Sequence, residues 1–559
     1  MSLHHITKRE KIIVMLAVMS GLFLVALDQT IISTALGQIV QDFNSFSSLG
    51  FVITAYLLTS TVTTPLAGKL SDMYGRRPML LTGVAVFTIG SLLSGLAPSI
   101  EWLIAWRALQ GIGGGFITAN AFTIVGDLFT PRERGKWQGL IGAVFGISSA
   151  IGPLLGGWLT DGHQVFMLTT DWRWTFYINV PVGIVAAAVI ARFCPPIKHD
   201  SDHAPDYAGA ALLTVALAST VLAVDNTEMV FAGLIENGWS LGFIKATLWT
   251  IAAVAGGLFI AVERSAKQPI IPLRFFQVKT YRIMMMTTLL FGAAFLGSIL
   301  YLTQFNQQVY GASPSEAGLM LLPMMAGMMI ASIGGGQIIS RTGHYKRYVL
   351  FGLALAAISM LSLVTLQPDT PYIQEGVIMF FLGLGMGLVN PILSLAVQNE
   401  FEQKDLGAAT SSIQLSRGLG STVGTAILSG MLTAGIMSGM GNPEELPYIQ
   451  SLKQAPESAQ IVRGEITADT LLQVNTRRDE IAEGYDAATV TLPAPQRDRL
   501  RTSFKEKQDS YGVGLIDSFT RSLHGIFMTS AALMALALLI VSFVQEKKLR
   551  GDVKATPGE

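Results

Sequence analysis

The chain has 559 residues, half of them apolar and only 14% charged, with 38 basic and 38 acidic side chains and a formal net charge of zero. A soluble domain carries about a quarter charged residues, so this composition excludes an ordinary water-soluble globule, and nothing in the balance points to a nucleic-acid partner. One cysteine, Cys194, excludes an intramolecular disulfide framework.

Apolar runs of about 18–30 residues dominate, each long enough to cross a hydrocarbon core of about 30 Å. They are too long for barrel strands and open sheets cannot cross lipid, so they predict helices. Fourteen are predicted, near 12–36, 50–70, 79–98, 102–126, 137–160, 175–193, 207–225, 243–262, 283–305, 316–339, 347–366, 373–397, 408–437 and 521–544. The first follows Lys8, Arg9 and Lys11, lacks a small-residue cleavage site and continues through Asp28 and Gln29. It is therefore a retained span, not a cleaved leader. Spans 2 and 3 are joined by the charged, glycine-punctuated stretch Gly68-Lys69-Leu70-Ser71-Asp72-Met73-Tyr74-Gly75-Arg76-Arg77.

Basic residues fall on one side of this arrangement: Arg76 and Arg77, Arg132, Arg134 and Lys136, Arg192 and Lys198, Arg264 to Arg282, Arg341 to Arg347, and the tail from Lys547 to Arg550. The opposite short loops offer little beyond Arg173 and Lys245. The positive-inside rule then places both termini in the cytoplasm. Residues 441–520 carry 22 charged side chains in 80 and form a soluble insert on the outer face, which translocates regardless of its charge. Its part from Pro493 to Ser518 reads either as an amphipathic helix on the outer leaflet or vestibule or as a partly helical solvated loop.

The chain repeats itself. At an offset of 268, Gly68 and Gly75 meet Gly336 and Gly343; at 272, Gly111, Gly113, Gly115 and Gly135 meet Gly383, Gly385, Gly387 and Gly407. Spans 2 and 4 thus map onto spans 10 and 12. Two six-helix bundles follow, spans 1–6 and 9–14, with spans 7 and 8 inserted between them. The expected divisions are a first bundle over 1–198, two linker helices over 199–282, five helices of the second bundle over 283–440, the insert at 441–520, and a last span with its tail at 521–559. The repeat is chemically unequal: Ser340 stands where the first copy has Asp72, and Met379 where it has Arg107.

Four motifs carry a family resemblance: Leu27-Asp28-Gln29-Thr30-Ile31 with Thr34-Ala35-Leu36, the 68–77 loop, Arg107-Ala108-Leu109-Gln110-Gly111-Ile112-Gly113-Gly114, and Gly146-Ile147-Ser148-Ser149-Ala150-Ile151-Gly152-Pro153-Leu154-Leu155-Gly156-Gly157. Together with Trp172 to Pro181 they resemble the fourteen-span drug:proton antiporters of the major facilitator superfamily, over essentially the whole chain. Gly37 departs from that pattern, which usually has proline there. The resemblance implies an all-α membrane protein of two six-helix bundles plus two linker helices. It implies proton-coupled efflux of lipophilic or cationic drugs by alternating access, in a bacterial cytoplasmic membrane. Its partners would be such small molecules, protons and the bilayer, with a periplasmic adaptor protein if the source has two membranes. The alternative is export of one specific metabolite, lipid or siderophore. No enzyme chemistry, metal or cofactor is expected beyond the proton gradient, since no nucleotide motif and no membrane-depth cluster of His, Cys and carboxylates occurs.

The residues themselves set finer expectations. Asp28 lies about eight residues, or roughly 12 Å, from the outer end of span 1, a depth at which a lone carboxylate must find a cation or a proton. Arg107 sits at a comparable depth in span 4, so the two are candidates for proton coupling, or for a static pair. Gly68, Asp72 and Arg76 share a helix face, and Gly75 permits a sharp turn. The resemblance implies a latch of Gly68, Asp72, Gly75, Arg76, Arg77 and Asp127, with Asp72 facing a helix N-terminus of the second bundle and Arg76 or Arg77 reaching Asp127. Gly146, Gly152, Pro153, Gly156 and Gly157 form the antiporter motif, first of all a tight helix-packing device. Asn120, Gln304, Asn306 and Asn390 are candidates for a substrate cavity. The methionines at 284–286, 324–325 and 328–329 offer either an adaptable wall or ordinary packing. Arg417 is assigned a structural role and Asp225 an interfacial one. No membrane-depth carboxylate stands out in the second bundle, which favours monovalent or neutral substrates over divalent cations.

Overall fold

A computed structural model describes residues 7–43, 49–160, 162–165, 168–195, 206–224, 227–453, 462, 466–489 and 493–549. Lys198, Asp225, Arg550 and parts of the 441–520 insert lie outside the described residues, and only the helical backbone is described at Thr34, Gly37, Ala150 and Pro153. The first bundle comprises α1 (Lys8–Phe43), α2 (Leu49–Tyr74), α3 (Arg76–Gly95), α4 (Ile100–Leu128), α5 (Pro131–Thr160), a two-strand hairpin of β1 (Gln164–Val165) and β2 (Leu168–Thr169), and α6 (Trp174–Tyr177) running into α7 (Asn179–Phe193). Next come α8 (Tyr207–Val224), the short α9 (Thr227–Val230) and α10 (Ala232–Glu236), and α11 (Leu241–Ser265). The second bundle holds α12 (Lys279–Gln308), α13 (Pro314–Met320), α14 (Leu322–Thr342), α15 (Lys346–Leu363), α16 (Tyr372–Gln398) and α17 (Leu406–Met440). After α18 (Pro447–Lys453), α19 (Ala468–Thr476) and α20 (Arg478–Thr489), the chain closes with α21 (Ala494–Ser542).

Thirteen described helical segments are long and apolar enough to span a membrane. A further helix, α2, has 26 residues, about 39 Å, also long enough to cross, and carries hydroxyl side chains at Thr59, Ser60, Thr61, Thr63 and Thr64. Those hydroxyls are accommodated inside the protein: Thr59 Oγ1 donates to the Ala108 carbonyl of α4 at 2.8 Å, and Thr64 Oγ1 to its own helix at Ser60. α8 and α11 pack on each other, with α8 also leaning on α2 and α17; Phe243, Trp249, Val254 and Leu258 on α11 face outward.

The repeat is built into the packing. A methyl group at Gly113 would come within 2.7 Å of the Gly83 carbonyl oxygen of α3, and one at Gly385 within 2.7 Å of the Gly352 carbonyl oxygen of α15. Gly111 and Gly115 meet Tyr56 and Ser60 of α2 just as Gly383 and Gly387 meet Met324 and Met328 of α14. Each pair of partners is offset by 268 or 269 positions while the glycines are offset by 272. Helices in lipid gain no hydrophobic drive from associating, so close backbone approach at small residues supplies much of the packing. Gly75 (φ 100) and Gly343 (φ 72) are likewise paired by the repeat, and both adopt the left-handed backbone that a side chain resists.

Contacts between the bundles run along two seams, α5 against α14 and α2 against α17. The insert is helical and has an apolar centre of its own, with Tyr448, Leu471, Phe504 and Tyr511 buried. α21 is one unbroken helix of 49 residues, about 74 Å. The expected division at 520/521 thus falls inside a helix, and Leu500, Phe504 and Tyr511 belong to a cap over one end of the second bundle. The tail returns to the opposite end, where the Leu549 N–H donates to the Gly343 carbonyl at 2.9 Å and Glu546 accepts from the N–H of Lys346 at 2.8 Å. The described ends of the chain, from Thr7 and up to Leu549, share that end with the 68–77 loop.

Gly113→Val and Gly385→Val should each destabilise the protein by about 1–3 kcal/mol through overpacking. Thermal unfolding of the two variants in detergent checks this; near-equal losses are expected because the crossings are equivalent.

Candidate functional site

Asp28 is wholly buried and takes three donors. Arg107 Nη1 donates to its Oδ2 at 2.5 Å; Gln110 Nε2 and Asn179 Nδ2 donate to its Oδ1 at 2.8 and 3.2 Å. Ser91 Oγ ties the two amides together at 2.6 and 2.9 Å. The guanidinium of Arg107 also donates to the Val52 carbonyl at 3.2 Å and lies 4.5 Å from the ring centre of Tyr56. Helices α1, α2, α3, α4 and α7 therefore converge on one carboxylate, all within the first bundle. Each of its three described hydrogen-bond partners is a donor. Sequence reasoning missed Gln110, Ser91 and Asn179. Gln110 carried a signal, since a residue three positions from Arg107 shares its helix face.

At the end that carries the termini, Asp72 pairs with Arg76 one turn ahead on the same side of the loop and accepts from the N–H of Ala408 at 3.1 Å. That N–H belongs to the first turn of α17, where the helix dipole favours an anion. Arg76, fully buried, reaches on to Asp127 at 2.6 Å and to Ser71 Oγ at 2.5 Å. Gly68 lies against Ser411 and Gly407 of α17. Arg77 does not join this cluster: it donates to the Ala191 carbonyl of α7, because its side chain leaves the opposite face of α3. Further contacts cross the seam here, Arg134 Nη1 to the Gln398 carbonyl at 3.4 Å among them. Gln138 Nε2 donates to Gln398 Oε1 at 2.8 Å, Gln398 Nε2 to the Phe122 carbonyl at 3.1 Å, and Gln403 Nε2 to the Asp127 carbonyl at 3.2 Å. The pseudo-equivalent contact brings Ser340 to Gly135 at the start of α5, without charge.

The antiporter motif divides between two neighbours. On the latch side, Gly139 and Gly142 lie against Ser332 of α14, whose Oγ donates to the Gly139 carbonyl at 2.8 Å; a methyl at Gly146 would stand 3.3 Å from Met328 Cε. Toward the other end, Gly152 packs on Thr30 of α1, inside its own bundle. The carbonyls of Gly156 and Gly157 accept the Thr160 hydroxyl at 2.8 and 2.9 Å, closing the end of α5. The backbone stays helical through Pro153.

The four candidate cavity residues separate. Asn120 is buried and donates to the Phe116 carbonyl of its own helix at 2.8 Å. Gln304 lines a cavity of about 250 Å³ with Tyr301 and Ser429, beneath Ala468 and Leu472 of the cap. Asn306 is fully buried with its side-chain amide against Glu375; turned so that its nitrogen donates, it stands 2.9 and 3.0 Å from the two carboxylate oxygens, so it serves that carboxylate. Glu375 is itself fully buried and lies in the first turn of α16, so the second bundle holds a buried carboxylate at a helix end, a position that did not mark it in the sequence. Asn390 Oδ1 accepts from Arg417 at 3.0 Å. The methionines at 324, 325 and 328 are buried, filling the α14 crossings with α16 and α5, whereas Met286 is half exposed.

The profile of the Major Facilitator Superfamily matches residues 18–425. The chain belongs to the major facilitator superfamily. A Bacillus subtilis protein named multidrug transporter protein MdtP is 36% identical over 533 residues, covering 95% of this chain and 92% of that one. Multidrug resistance protein 3 of the same bacterium is 34% identical over 464 residues, covering 80% and 88%. The crystal structure of the human transporter MFSD10 shares the fold, with a TM-score of 0.60 at 15% identity, covering 95% of this chain and 99% of that one. Within this superfamily the two-bundle plan places transport between the halves, and the two seams are where this member's halves meet.

Asp72→Asn removes the anion from the start of α17, an interaction worth about 0.3–1 kcal/mol when exposed and up to about 2 kcal/mol when buried. Spin labels at the exposed Tyr74 and Lys404 should then report longer, broader distances in pulsed electron resonance. An unchanged distribution would show that Asp72 does not hold this end closed.

Proposed function

We propose that this member of the superfamily exports lipophilic small molecules across a bacterial cytoplasmic membrane in exchange for protons. The single observation that carries the proton part is the sealed Asp28–Arg107 pair, at 2.5 Å and out of contact with solvent. A buried ion pair that loses one partner leaves an uncompensated charge, at a cost of about 3–5 kcal/mol. Protonating Asp28 frees Arg107 in that way, and the stress is relieved by movement of α1 and α4 relative to their neighbours. Drug efflux is supported by the relatives named as a multidrug transporter and a multidrug resistance protein. The concentration of Arg and Lys at the latch end supports a cytoplasmic placement for both termini.

The cycle then reads as follows. With the latch closed on the cytoplasmic side, a proton enters from outside and reaches Asp28. The released guanidinium shifts its bonds toward Gln110 and Val52, the bundles rock along the α5–α14 and α2–α17 seams, and the Asp72–Ala408 contact opens. Substrate enters from the cytoplasm, the proton leaves inward, and re-formation of the ion pair restores the closed latch.

In vesicles containing the full chain, extrusion of a lipophilic fluorescent dye should require an imposed pH gradient. Asp28→Asn keeps the shape and the amide contacts, so it should bind dye while losing gradient-driven accumulation at least about tenfold, a barrier difference of about 1.4 kcal/mol. Equal transport by the parent chain with and without a gradient would falsify the exchange mechanism.

A further inference from the structure

Arg417 lies on α17 within the second bundle, yet its guanidinium is 5.8 Å from the ring centre of Phe122 on α4 and 5.7 Å from that of Phe145 on α5. It therefore sits between the halves, and about 16 Å along α17 from its start at Leu406, near the middle of a bilayer. Its one hydrogen bond to a described residue is Nη1 to Asn390 Oδ1 at 3.0 Å, and no described carboxylate comes within ion-pair distance of it. A guanidinium carries five N–H donors in a fixed fork. Three residues earlier on the same helix, Gln414 is 6% exposed and its Oε1 has no donor among the described residues. Arg107, by contrast, is paired with Asp28 and also donates to Gln110 and to the Val52 carbonyl.

We infer that Arg417 is a substrate-recognition residue, and that the preferred cargo of this transporter is an amphiphile bearing an acidic group, such as an aryl carboxylate. The inference rests on the exporter reading above and narrows its substrate class. An unpaired charge at membrane depth is costly, and a ligand carboxylate supplies the missing counter-ion through two parallel N–H···O bonds. Phe122 and Phe145 give the aromatic part of such a ligand an apolar surface on the first bundle, while Arg417 and Asn390 hold its polar end on the second. The ligand would thus touch both halves, as a molecule passing between them must. A cation in the same place would meet repulsion.

Three naphthalene compounds of matched ring and different charge test this: 2-naphthoate, the neutral 2-naphthamide and the cation 2-naphthylmethylammonium. Their equilibrium binding is measured on the full chain in lipid nanodiscs. The parent chain should bind the carboxylate about tenfold or more tightly than the amide, as charge-assisted hydrogen bonds imply, and the ammonium most weakly. Arg417→Gln should abolish the preference, and Arg417→Lys should keep part of it. Asn390→Asp gives Arg417 an internal partner and should abolish the preference with the arginine still present, which keeps the test decisive if Arg417→Gln folds poorly. A parent chain that binds amide or ammonium as tightly as carboxylate, or binds none of the three, overturns the inference. So does a carboxylate preference that survives both Arg417→Gln and Asn390→Asp. Gradient-driven dye extrusion is scored separately, so either result leaves the exporter reading to stand or fall alone.

Discussion

A charge inside a lipid-spanning bundle has little water to screen it, so an ionised side chain there needs compensation from neighbouring helices or from a ligand. That constraint organises this protein more than any other. Asp28 and Arg107 satisfy each other inside the first bundle, with three polar side chains completing the shell. Asp72, Arg76 and Asp127 form a second buried chain of charges, and one end of it is completed by the backbone of the other bundle. The first pair is compensated within one bundle; the second chain is compensated partly across the two.

The duplication explains why these devices are distributed unequally. Glycines at crossings cannot change without pushing backbones apart, so both copies keep them: a methyl at Gly113 or at Gly385 would stand 2.7 Å from a neighbouring carbonyl oxygen. Side chains that only carry charge are free to diverge once one copy performs the task. The second bundle has Ser340 and Met379 in place of Asp72 and Arg107, and holds its own ionisable groups, Glu375 and Arg417, at positions with no charged counterpart at the same offset. Symmetric packing therefore supports asymmetric chemistry. The seams are shared by both halves, while the buried Asp28–Arg107 pair lies wholly in the first.

The seams also assign a use to small residues that look alike in the sequence. Gly139, Gly142 and Gly146 face α14 across the interface, whereas Gly152 faces α1 within the first bundle. One helix thus bears on both its own bundle and the opposite one. α5 thereby connects α1, which carries Asp28, to α14 by direct packing.

The sequence by itself determined the helical class, the span count, the repeat and the residue types that had to be paired, because apolar run length, glycine spacing and the cost of isolated charge are all local or periodic properties. It pointed to Asp28 and Arg107 by depth and to the latch by motif. Tertiary structure alone decided which partner each group takes. Arg76 and Arg77 are adjacent in sequence but leave α3 on different faces, so one meets Asp127 and the other Ala191. Asn306 and Gln304 are two residues apart, yet one closes on Glu375 and the other opens to a cavity beneath the cap. Arg417 looked like a scaffold residue until the aromatic rings beside it proved to belong to the opposite bundle. Partners separated by hundreds of residues are set by how helices rotate and cross, and no local pattern carries that information.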